Sequence, residues 1–306
     1  MTKTYALKAF ARAALLPAAL LAALAAPASA TGDGPQIERQ KWSFAGPFGS
    51  FDKPQLQRGF QVYQQVCSAC HGLKRVNFRN LAEPGGPGFP EDSVKGLAAS
   101  WPNQVFDGPN DQGLIATTKG QIIKRPARPS DPILGPYDNE KAARAAQVGN
   151  ASPPDLSLMT KARAVEFTGP LWAHPFHMLG DIGRGYQEGG ADYVYALLTG
   201  YANAPADMTM ADGSKFKLAE NMNFNNAFPG HQIAMIPPLT DGQVKYQDGT
   251  PGTISNYAKD VTAFLMWTGD PKLEDRKSMG WKVMLYLLLT SLFLYFAKKR
   301  LWSKLH

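Results

Sequence analysis

The feature that most constrains this chain is the segment Cys67-Ser68-Ala69-Cys70-His71, which contains the only two cysteines among 306 residues. Two thiols at this spacing can form thioether bonds to the two vinyl groups of a haem, and the histidine that follows at once can bind the iron. With both thiols in this motif, no cysteine remains for a disulfide, a tetrahedral zinc site or an iron–sulfur cluster. The motif therefore predicts one covalently bound haem c.

The alternative for the same motif is a thioredoxin-like redox pair, which needs a βαβ context. Leu56, Phe60, Tyr63 and Val66 instead follow one another at spacings of three and four residues. This periodicity predicts a helix from Gln55 to His71 that presents both cysteines and the histidine at its end.

The N-terminus has the pattern of a secretory signal peptide. Three basic residues before position 13 precede an apolar stretch at 13–26 and an A-x-A cleavage site at 28–30. We expect residues 1–30 to be removed and the mature chain to start near Thr31, outside the bacterial cytoplasm. The alternative is a permanent membrane anchor, for which the apolar stretch is short.

Residues 279–297 are predominantly apolar and contain one charged residue, Lys282. As a helix they would span about 28 Å, close to the hydrocarbon thickness of a bilayer. Basic residues follow this stretch, and positive residues stay in the cytoplasm. A buried core helix is the alternative. The expected organisation is a signal peptide at 1–30, a periplasmic haem domain at 31–276, a transmembrane anchor at 277–300 and a cytoplasmic tail at 301–306.

The formal net charge of +7 comes from the two ends of the chain. Residues 31–276 contain 23 of the 32 basic residues and all 25 acidic residues, a net charge of −2. Binding of nucleic acid is therefore not implied. Three acidic groups are candidates for attracting a cationic partner, with ordinary solvated surface as the alternative: Glu91-Asp92, Asp107 with Asp111, and Glu274-Asp275.

We predict an all-α domain with long loop insertions. A helical haem-binding core needs only about 100 residues, and no segment shows convincing strand alternation. The Gly/Pro-rich runs 83–90 and 126–136 are expected to be surface turns. Further helices are expected at Asn139–Gln147, at Asp155–Val165 with Asp155 as its cap, at Ala191–Thr199 and at Thr253–Trp267. The helix at 55–71 and the helix at 253–267 are expected to pack together over the haem edge.

Met235 is the best candidate for the second axial ligand of the iron. Prolines on both sides predict a stiff, extended strap at 228–239, and a thioether ligand raises the potential of a haem. His231, or the pair His174 and His177, would give bis-histidine ligation instead. The other methionine candidates are Met208 and Met210, in a loop without rigid flanks, and Met266 and Met284, in helices.

Two haem propionates also need cationic partners. Arg144 and Arg163 are candidates, because a guanidinium pairs bidentately with a carboxylate. A surface role is the alternative for either arginine.

These features together resemble the cytochrome c1 family, the haem subunit of the quinol–cytochrome c oxidoreductase or cytochrome bc1 complex, in its alphaproteobacterial-like form. The resemblance covers nearly the whole mature chain. The segments that carry it are VYQQVCSACH at 62–71, PPDLS at 153–157, GGADYVY at 189–195, LLTGY at 197–201, the strap at 228–239, DGT at 248–250, AKDV at 258–261 and RKSMG at 276–280.

The resemblance implies a class I cytochrome c-like haem domain. Cys67 and Cys70 would hold the haem, and His71 and Met235 would bind its iron. Arg163 matches the family's propionate arginine, and Tyr193 matches an aromatic residue beside the haem. The stretch 166–188 is longer than in mitochondrial members.

The resemblance also implies electron transfer rather than bond-making chemistry. The haem would accept an electron from the Rieske iron–sulfur protein and pass it to a soluble c-type cytochrome, while cytochrome b oxidises the quinol, within a dimeric complex of the bacterial inner membrane. One alternative is a tail-anchored monohaem cytochrome that serves another oxidase or reductase. The other is a haem enzyme or gas sensor with an open sixth position on the iron.

Overall fold

The computed structural model describes residues 37–106, 124–163, 171–183, 189–205, 207–209 and 213–303. Within these residues the chain forms eight α-helices: α1 (Lys53–Gln65), α2 (Glu91–Ala99), α3 (Glu140–Ala146), α4 (Met159–Ala162), α5 (His174–Gly183), α6 (Gly189–Thr199), α7 (Ile254–Gly269) and α8 (Leu273–Trp302). α5 belongs to a separate compact unit, and the other helices form the main unit.

Helices α1 and α7 cross in direct contact at the centre of the main unit. A Cβ atom at Gly59 would lie 2.1 Å from the carbonyl oxygen of Asp260, so only glycine allows the two backbones to approach this closely. Phe60 and Tyr63 pack against Phe264, with ring centroids 5.6 and 5.9 Å apart. The predicted packing of these two helices is confirmed, and their position over a haem edge stays a prediction.

An ion pair stabilises the same crossing. Arg58 donates from Nε to Oδ2 of Asp260 at 2.8 Å and from one terminal nitrogen to Asp248 at 2.8 Å. The Asp260 side chain is only 5% exposed, so its charge is compensated where water is excluded. Replacing Arg58 alone would leave a buried carboxylate without a cation.

Helix α6 is fixed by one glycine and one buried carboxylate. A Cβ atom at Gly190 would lie 1.8 Å from the carbonyl oxygen of Thr160 in α4, so α4 and α6 touch through their backbones. Asp192 is buried and accepts hydrogen bonds from the indole N–H of Trp42 at 2.8 Å and from the backbone N–H of Gln40 at 2.9 Å. The segment before α1 is thereby tied to α6.

Three short antiparallel ladders accompany the helices in the described residues. The expectation of an all-α domain omitted them, because strands of two to five residues are too short to show an alternating pattern. The pairs are β1 (Leu73–Asn77) with β4 (Pro132–Ile133), β2 (Val105–Phe106) with β3 (Lys124–Arg125), and β5 (Asn223–Phe224) with β6 (Gln232–Ile233).

Two predicted helix boundaries are wrong. α1 ends at Gln65, and a 3-10 turn at Cys67–Ala69 replaces its predicted continuation. The helix expected at 155–165 is reduced to α4, and its predicted end at Val165 lies outside the described residues. Asp155 does not cap it, because its carboxylate accepts from the N–H groups of Ser157 and Lys74. The helices predicted near α3, α6 and α7 are confirmed to within two residues at each end.

The Gly/Pro-rich run 83–90 is more than a surface turn. Gly86 and Pro87 are buried, and Gly86 lies against the ring of Trp267. The Phe89 ring packs edge to face on Phe60 with centroids 5.5 Å apart. This loop therefore contributes to the core beside the crossing of α1 and α7.

Helix α8 is the only helix in the described residues that is long and apolar enough to cross a membrane. None of its most apolar 18-residue stretch is buried. That exposure argues against the alternative of a buried core helix. The predicted signal peptide at 1–30 and residues 304–306 of the predicted tail lie outside the described residues.

The separate unit is described only through α5 and the 3-10 turn Leu171–Ala173 before it. Four of its large apolar side chains are exposed, including Trp172 at 70% and Phe176 at 68%. The long stretch 166–188 therefore contains a helix, while residues 164–170 and 184–188 are outside the described part.

Candidate functional site

Both cysteines lie in a tight turn at the end of α1. The backbone N–H groups of Cys70 and His71 donate to the carbonyl oxygen of Cys67 at 3.1 and 2.9 Å, and the Ser68 hydroxyl donates to the carbonyl oxygen of Gln64 at 2.7 Å. Burial and the neighbouring Cys70 raise the pKa of the Cys67 thiol to about 12. A thiol so hard to ionise is a poor redox nucleophile, which argues against thioredoxin-like chemistry.

The imidazole of His71 is held as a neutral ligand. Its Nδ1 lies 2.7 Å from the carbonyl oxygen of Pro154, so Nδ1 carries the proton and donates it, and the lone pair remains on Nε2. Burial lowers the pKa of His71, although the Pro154 carbonyl and Asp155 oppose that shift. A neutral imidazole with Nε2 free of its proton is the form that binds haem iron, so this donor set fits a haem.

The loop that orients His71 is itself fastened to the motif by backbone and side-chain contacts. The N–H of Leu156 donates to the carbonyl oxygen of Gly72 at 3.0 Å. The carboxylate of Asp155 accepts from the N–H of Lys74 at 2.7 Å, and the Ser157 hydroxyl accepts from the N–H of Arg75 at 3.1 Å. The PPDLS segment therefore aligns along β1, which explains why Asp155 is unavailable as a helix cap.

Met235 lies on the predicted strap, two residues after β6. Its carbonyl oxygen accepts hydrogen bonds from the Tyr201 hydroxyl at 3.1 Å and from the Asn223 amide at 3.3 Å. Met235 is half-buried, while the next residue, Ile236, is 67% exposed. The backbone at Met235 is thus fixed by side chains from two other segments.

A fully buried amide side chain organises the strap. Asn225 accepts from the N–H groups of Ala227 and Phe228 at 2.9 and 3.2 Å and donates to the carbonyl oxygen of Leu197 at 2.8 Å. These bonds pin the strap to the end of α6. The sequence predicted stiffness from prolines and missed Asn225, whose only sequence signal was the weak preference of asparagine for turns.

Tyr193 and Arg163 lie near each other on the α6 side of the site. Tyr193 is buried in α6, and burial raises its pKa while the positive charge of Arg163 lowers it. Arg163 directly follows α4 and is exposed. Burial also raises the pKa of Tyr201, and Tyr193 adds to this shift, which places the two phenols in the same neighbourhood. Tyr193 of α6 therefore lies near both Arg163 and Tyr201, and the Tyr201 hydroxyl donates to the Met235 carbonyl oxygen.

Two further residues near the motif were not found from the sequence. The Gln147 amide lies 3.8 Å from the Cys70 sulfur and donates to the Tyr137 hydroxyl at 2.6 Å. Gln147 comes directly after α3, so this short helix reaches the cysteine turn. Neither residue type signals such a position, because glutamine and tyrosine are common on any surface.

Two other ligand candidates make contacts away from the cysteine motif. Arg144 pairs with Glu140 at 2.6 Å and donates to the carbonyl oxygen of Asn150. The His231 ring lies 3.1 Å from the carbonyl oxygen of Asn225 and stacks on Phe224. The remaining candidates are Met266, buried in α7; Met284, exposed on α8; Met208, half-buried in a loop; His174, in the separate unit; and Met210 and the side chain of His177, which are not described.

The acidic groups have different environments. Glu91 and Asp92 are exposed in the first turn of α2, where Asp92 pairs with Lys95. Glu274 instead accepts a hydrogen bond from the backbone N–H of Phe51 at 2.7 Å, so it has a structural role. Asp107 and Asp111 lie outside the described residues. Among the described residues no cluster of three or more His, Cys, Asp or Glu side chains could hold a metal ion.

Comparison with known proteins assigns a family. The family model described as the Cytochrome C1 family matches residues 42–305. Cytochrome c1 of Blastochloris viridis is 45% identical over 92% of this chain and 92% of its own length, and cytochrome c1 of Rhodospirillum rubrum is 40% identical over 94% and 96%. Cytochrome b/c1 of Bradyrhizobium diazoefficiens is 46% identical over 87% of this chain. The match covers only 35% of the length of that relative.

Proposed function

This chain belongs to the cytochrome c1 family, and we propose that it carries single electrons from a Rieske iron–sulfur protein to a soluble c-type cytochrome within a cytochrome bc1 complex. Covalently bound haem c is the cofactor of this family and supplies one-electron exchange at its iron. The observation that carries the proposal is the contact between His71 Nδ1 and the Pro154 carbonyl, which prepares Nε2 as an axial ligand.

We assign the site residues as follows. Cys67 and Cys70 would form the thioether bonds to the haem, and His71 would supply a nitrogen ligand to its iron. Met235 would supply the second ligand to the iron, because Tyr201 and Asn223 both donate to its carbonyl oxygen and so fix the strap there. The remaining two assignments are Arg163 as the partner of a propionate and Tyr193 as the aromatic residue beside the macrocycle.

Two protein ligands, His71 and Met235, would make this chain an electron carrier rather than a site of bond-making chemistry. With His71 and Met235 holding the iron, the thioether would raise the potential and no ligand position would remain open to a substrate or a gas. A haem enzyme or gas sensor would need an open position. The contacts that fix the Met235 backbone favour the carrier over that alternative.

The family and α8 support the partners and the location that we propose. We propose that the chain assembles with cytochrome b and the Rieske protein in a dimeric complex. We further propose that α8 crosses the bacterial inner membrane once, with the haem domain in the periplasm after removal of residues 1–30. The basic residues that follow the apolar stretch fit a cytoplasmic end.

Spectroscopy on the purified holoprotein tests the site. We expect a low-spin spectrum with the sulfur-to-iron charge-transfer band of methionine ligation. A high-spin spectrum, with carbon monoxide binding readily to the reduced protein, would contradict the carrier and favour the enzyme or sensor.

Copurification tests the partners. An affinity tag on this chain should recover cytochrome b and the Rieske subunit from solubilised membranes. The recovered complex should reduce a soluble c-type cytochrome with quinol as the electron source. Recovery of a different oxidase or reductase in their place would favour the tail-anchored monohaem alternative.

Two truncations test the anchor. A chain that ends at Gly280 keeps Glu274 and Lys277, whose contacts hold the domain together with the start of α8. We expect it to leave the membrane with an unchanged spectrum. A chain that ends at Arg276 should also leave the membrane but lose stability, because the Lys277 ammonium no longer binds the carbonyl oxygens of Phe44 and Gly49.

A further inference from the structure

We propose that loop 45–50, with Phe48 at its tip, is a second membrane contact of the haem domain, in which Phe48 enters the phospholipid headgroup region beside Trp281. We call residues 45–50 the foot loop. The inference rests on the proposal above that α8 crosses the membrane, and it adds a contact that the membrane span alone does not supply.

The foot loop is anchored in the core at both ends. Trp42 and Phe44 are buried, with rings stacked at a centroid distance of 5.3 Å, and Phe44 also contacts buried Phe51 at 5.4 Å. The N–H of Ser50 donates to the carbonyl oxygen of Ser43 at 3.1 Å, which closes the loop. A loop with both ends held this way keeps its tip in a defined position.

The foot loop is also tied to the first turns of α8. Glu274 accepts a hydrogen bond from the N–H of Phe51 at 2.7 Å. The ammonium of Lys277 donates to the carbonyl oxygens of Phe44 and Gly49 at 2.6 and 3.2 Å. These contacts lie immediately before the apolar stretch that begins at Met279. The loop is therefore held at the level where α8 leaves the domain.

Phe48 differs from the other aromatic residues of this segment. It is 77% exposed, whereas Trp42, Phe44 and Phe51 are all buried. Its ring meets that of Trp281 edge to face, with centroids 5.9 Å apart. Because Trp281 lies at the start of the apolar stretch of α8, this contact places Phe48 at the same depth.

A phospholipid surface fits this patch better than water does. Exposure of a phenyl ring to water is unfavourable, and aromatic side chains concentrate at the boundary between hydrocarbon and headgroups. Lys282 follows Trp281 directly and offers an ammonium group to lipid phosphates. The continuity of the patch with the membrane span points to lipid as the occupant.

A second contact would limit how the haem domain tilts. A single helix fixes the depth of a domain but leaves its inclination to the bilayer free. The foot loop adds a point beside the helix axis and so restricts which face of the domain points towards the membrane. Orientation of this kind would set which directions remain open to partners in solution.

Site-specific fluorescence tests the foot loop. Because the only two native cysteines lie in the haem motif, Phe48→Cys introduces the only thiol that remains free in the holoprotein. It is labelled with a nitrobenzoxadiazole dye in the full-length holoprotein and reconstituted into liposomes of phosphatidylcholine and phosphatidylglycerol. Lys141→Cys, exposed on α3 near the haem motif, is the matched control.

We expect lipid-attached nitroxide to quench the dye at position 48 several-fold more strongly than the dye at position 141, and aqueous iodide to do the reverse. Equal iodide quenching at both positions, with the protein still in the liposomes, would overturn the foot loop and leave the anchor intact. Failure of the full chain to insert would instead overturn the anchor, and with it this inference.

Two further measurements keep the inference testable. In the purified complex, a dye at position 48 that neither iodide nor lipid nitroxide quenches would show that a protein partner covers Phe48, which contradicts the lipid assignment.

If the labelled variant lacks haem, the test is instead hydroxyl-radical oxidation of the unsubstituted holoprotein in liposomes. Phe48 should then be oxidised several-fold less than exposed Met222, after correction for intrinsic reactivity. Equal oxidation would overturn the proposal.

Discussion

A backbone carbonyl orients the proposed ligand His71 on one side of the haem site. Side chains position the proposed ligand Met235 on the other. His71 is oriented by the carbonyl oxygen of Pro154, in a loop that aligns along β1. Met235 is positioned by the Tyr201 hydroxyl and the Asn223 amide, on a strap that Asn225 pins to α6. The two proposed ligands, His71 and Met235, therefore depend on different kinds of contact.

This difference determines where substitutions act. A backbone carbonyl stays in place when its side chain changes, so the His71 side tolerates substitution as long as the loop keeps its path. A side-chain hydrogen bond disappears with its residue, at a cost of about 1 kcal/mol, or more when a buried partner is left unpaired. We therefore expect the Met235 side to be the place where sequence changes tune ligation and potential.

The strongest test removes the ligand on the strap. Met235→Leu keeps the size and apolar character of the side chain but removes its sulfur. Covalent haem content should stay unchanged, because Cys67 and Cys70 are intact. The midpoint potential should fall by on the order of 100 mV or more, since the ferrous-favouring thioether is lost. Redox titration measures this fall, with Met208→Leu as the matched control; an unchanged potential and spectrum would remove Met235 from the site.

Asn225→Ala should have the next largest effect. It leaves the buried N–H of Ala227 and the carbonyl oxygen of Leu197 without their partner, which should lower the free energy of unfolding by about 2–3 kcal/mol. The sulfur-to-iron band should then disappear at a lower temperature than in the unsubstituted protein. Asn226→Ala, exposed one residue later, is the control. Equal thermal profiles for the two variants would mean that Asn225 does not fix the strap.

Tyr201→Phe should act more weakly, because Asn223 still donates to the Met235 carbonyl oxygen. We expect a loss of about 1 kcal/mol in strap stability. The readout is displacement of the methionine by added imidazole, which should occur at lower imidazole concentration. Tyr195→Phe removes a hydroxyl that pairs with Ser255 and should leave this midpoint unchanged. Equal shifts in both variants would contradict a specific effect on Met235.

The smallest effect concerns acid stability on the His71 side. Asp131 precedes β4, which pairs with β1, and the hydrogen bond from Arg125 lowers the pKa of its carboxyl below the usual 3.8. A lowered folded pKa stabilises the protein fully above pH 3.8, and this contribution is lost as pH falls through the folded pKa. Asp131→Asn should therefore lose less stability on acidification than the unsubstituted protein.

We expect this difference to be about 1 kcal/mol or less, because the ion pair is partly exposed to solvent. Denaturant unfolding at a series of acidic pH values measures it. Asp138→Asn, which removes an exposed pair with Lys124, provides the comparison. If Asp131→Asn shows the same dependence on pH as the unsubstituted protein, the Arg125 pair does not contribute to acid stability.

Much of this protein could be read from local sequence patterns. The spacing of Cys67, Cys70 and His71 predicted one haem because the two thioether bonds need that spacing. Periodic apolar residues predicted α7 within two residues at each end, since each turn of a helix repeats its pattern. The apolar run at 279–297 predicted a membrane span, which lies within α8, because bilayer thickness sets the length of a spanning helix.

Tertiary structure alone decided which groups orient these residues. Every residue has a carbonyl oxygen, so nothing in the amino-acid sequence marks Pro154 as the hydrogen-bond acceptor for His71. Asp155 has the sequence of a helix cap, yet its carboxylate binds the N–H of Lys74, because β1 lies within reach only in the folded chain. Gly190 and Asn225 matter for the same reason: backbone contact and a buried hydrogen bond depend on segments far apart in sequence, which a local pattern cannot contain.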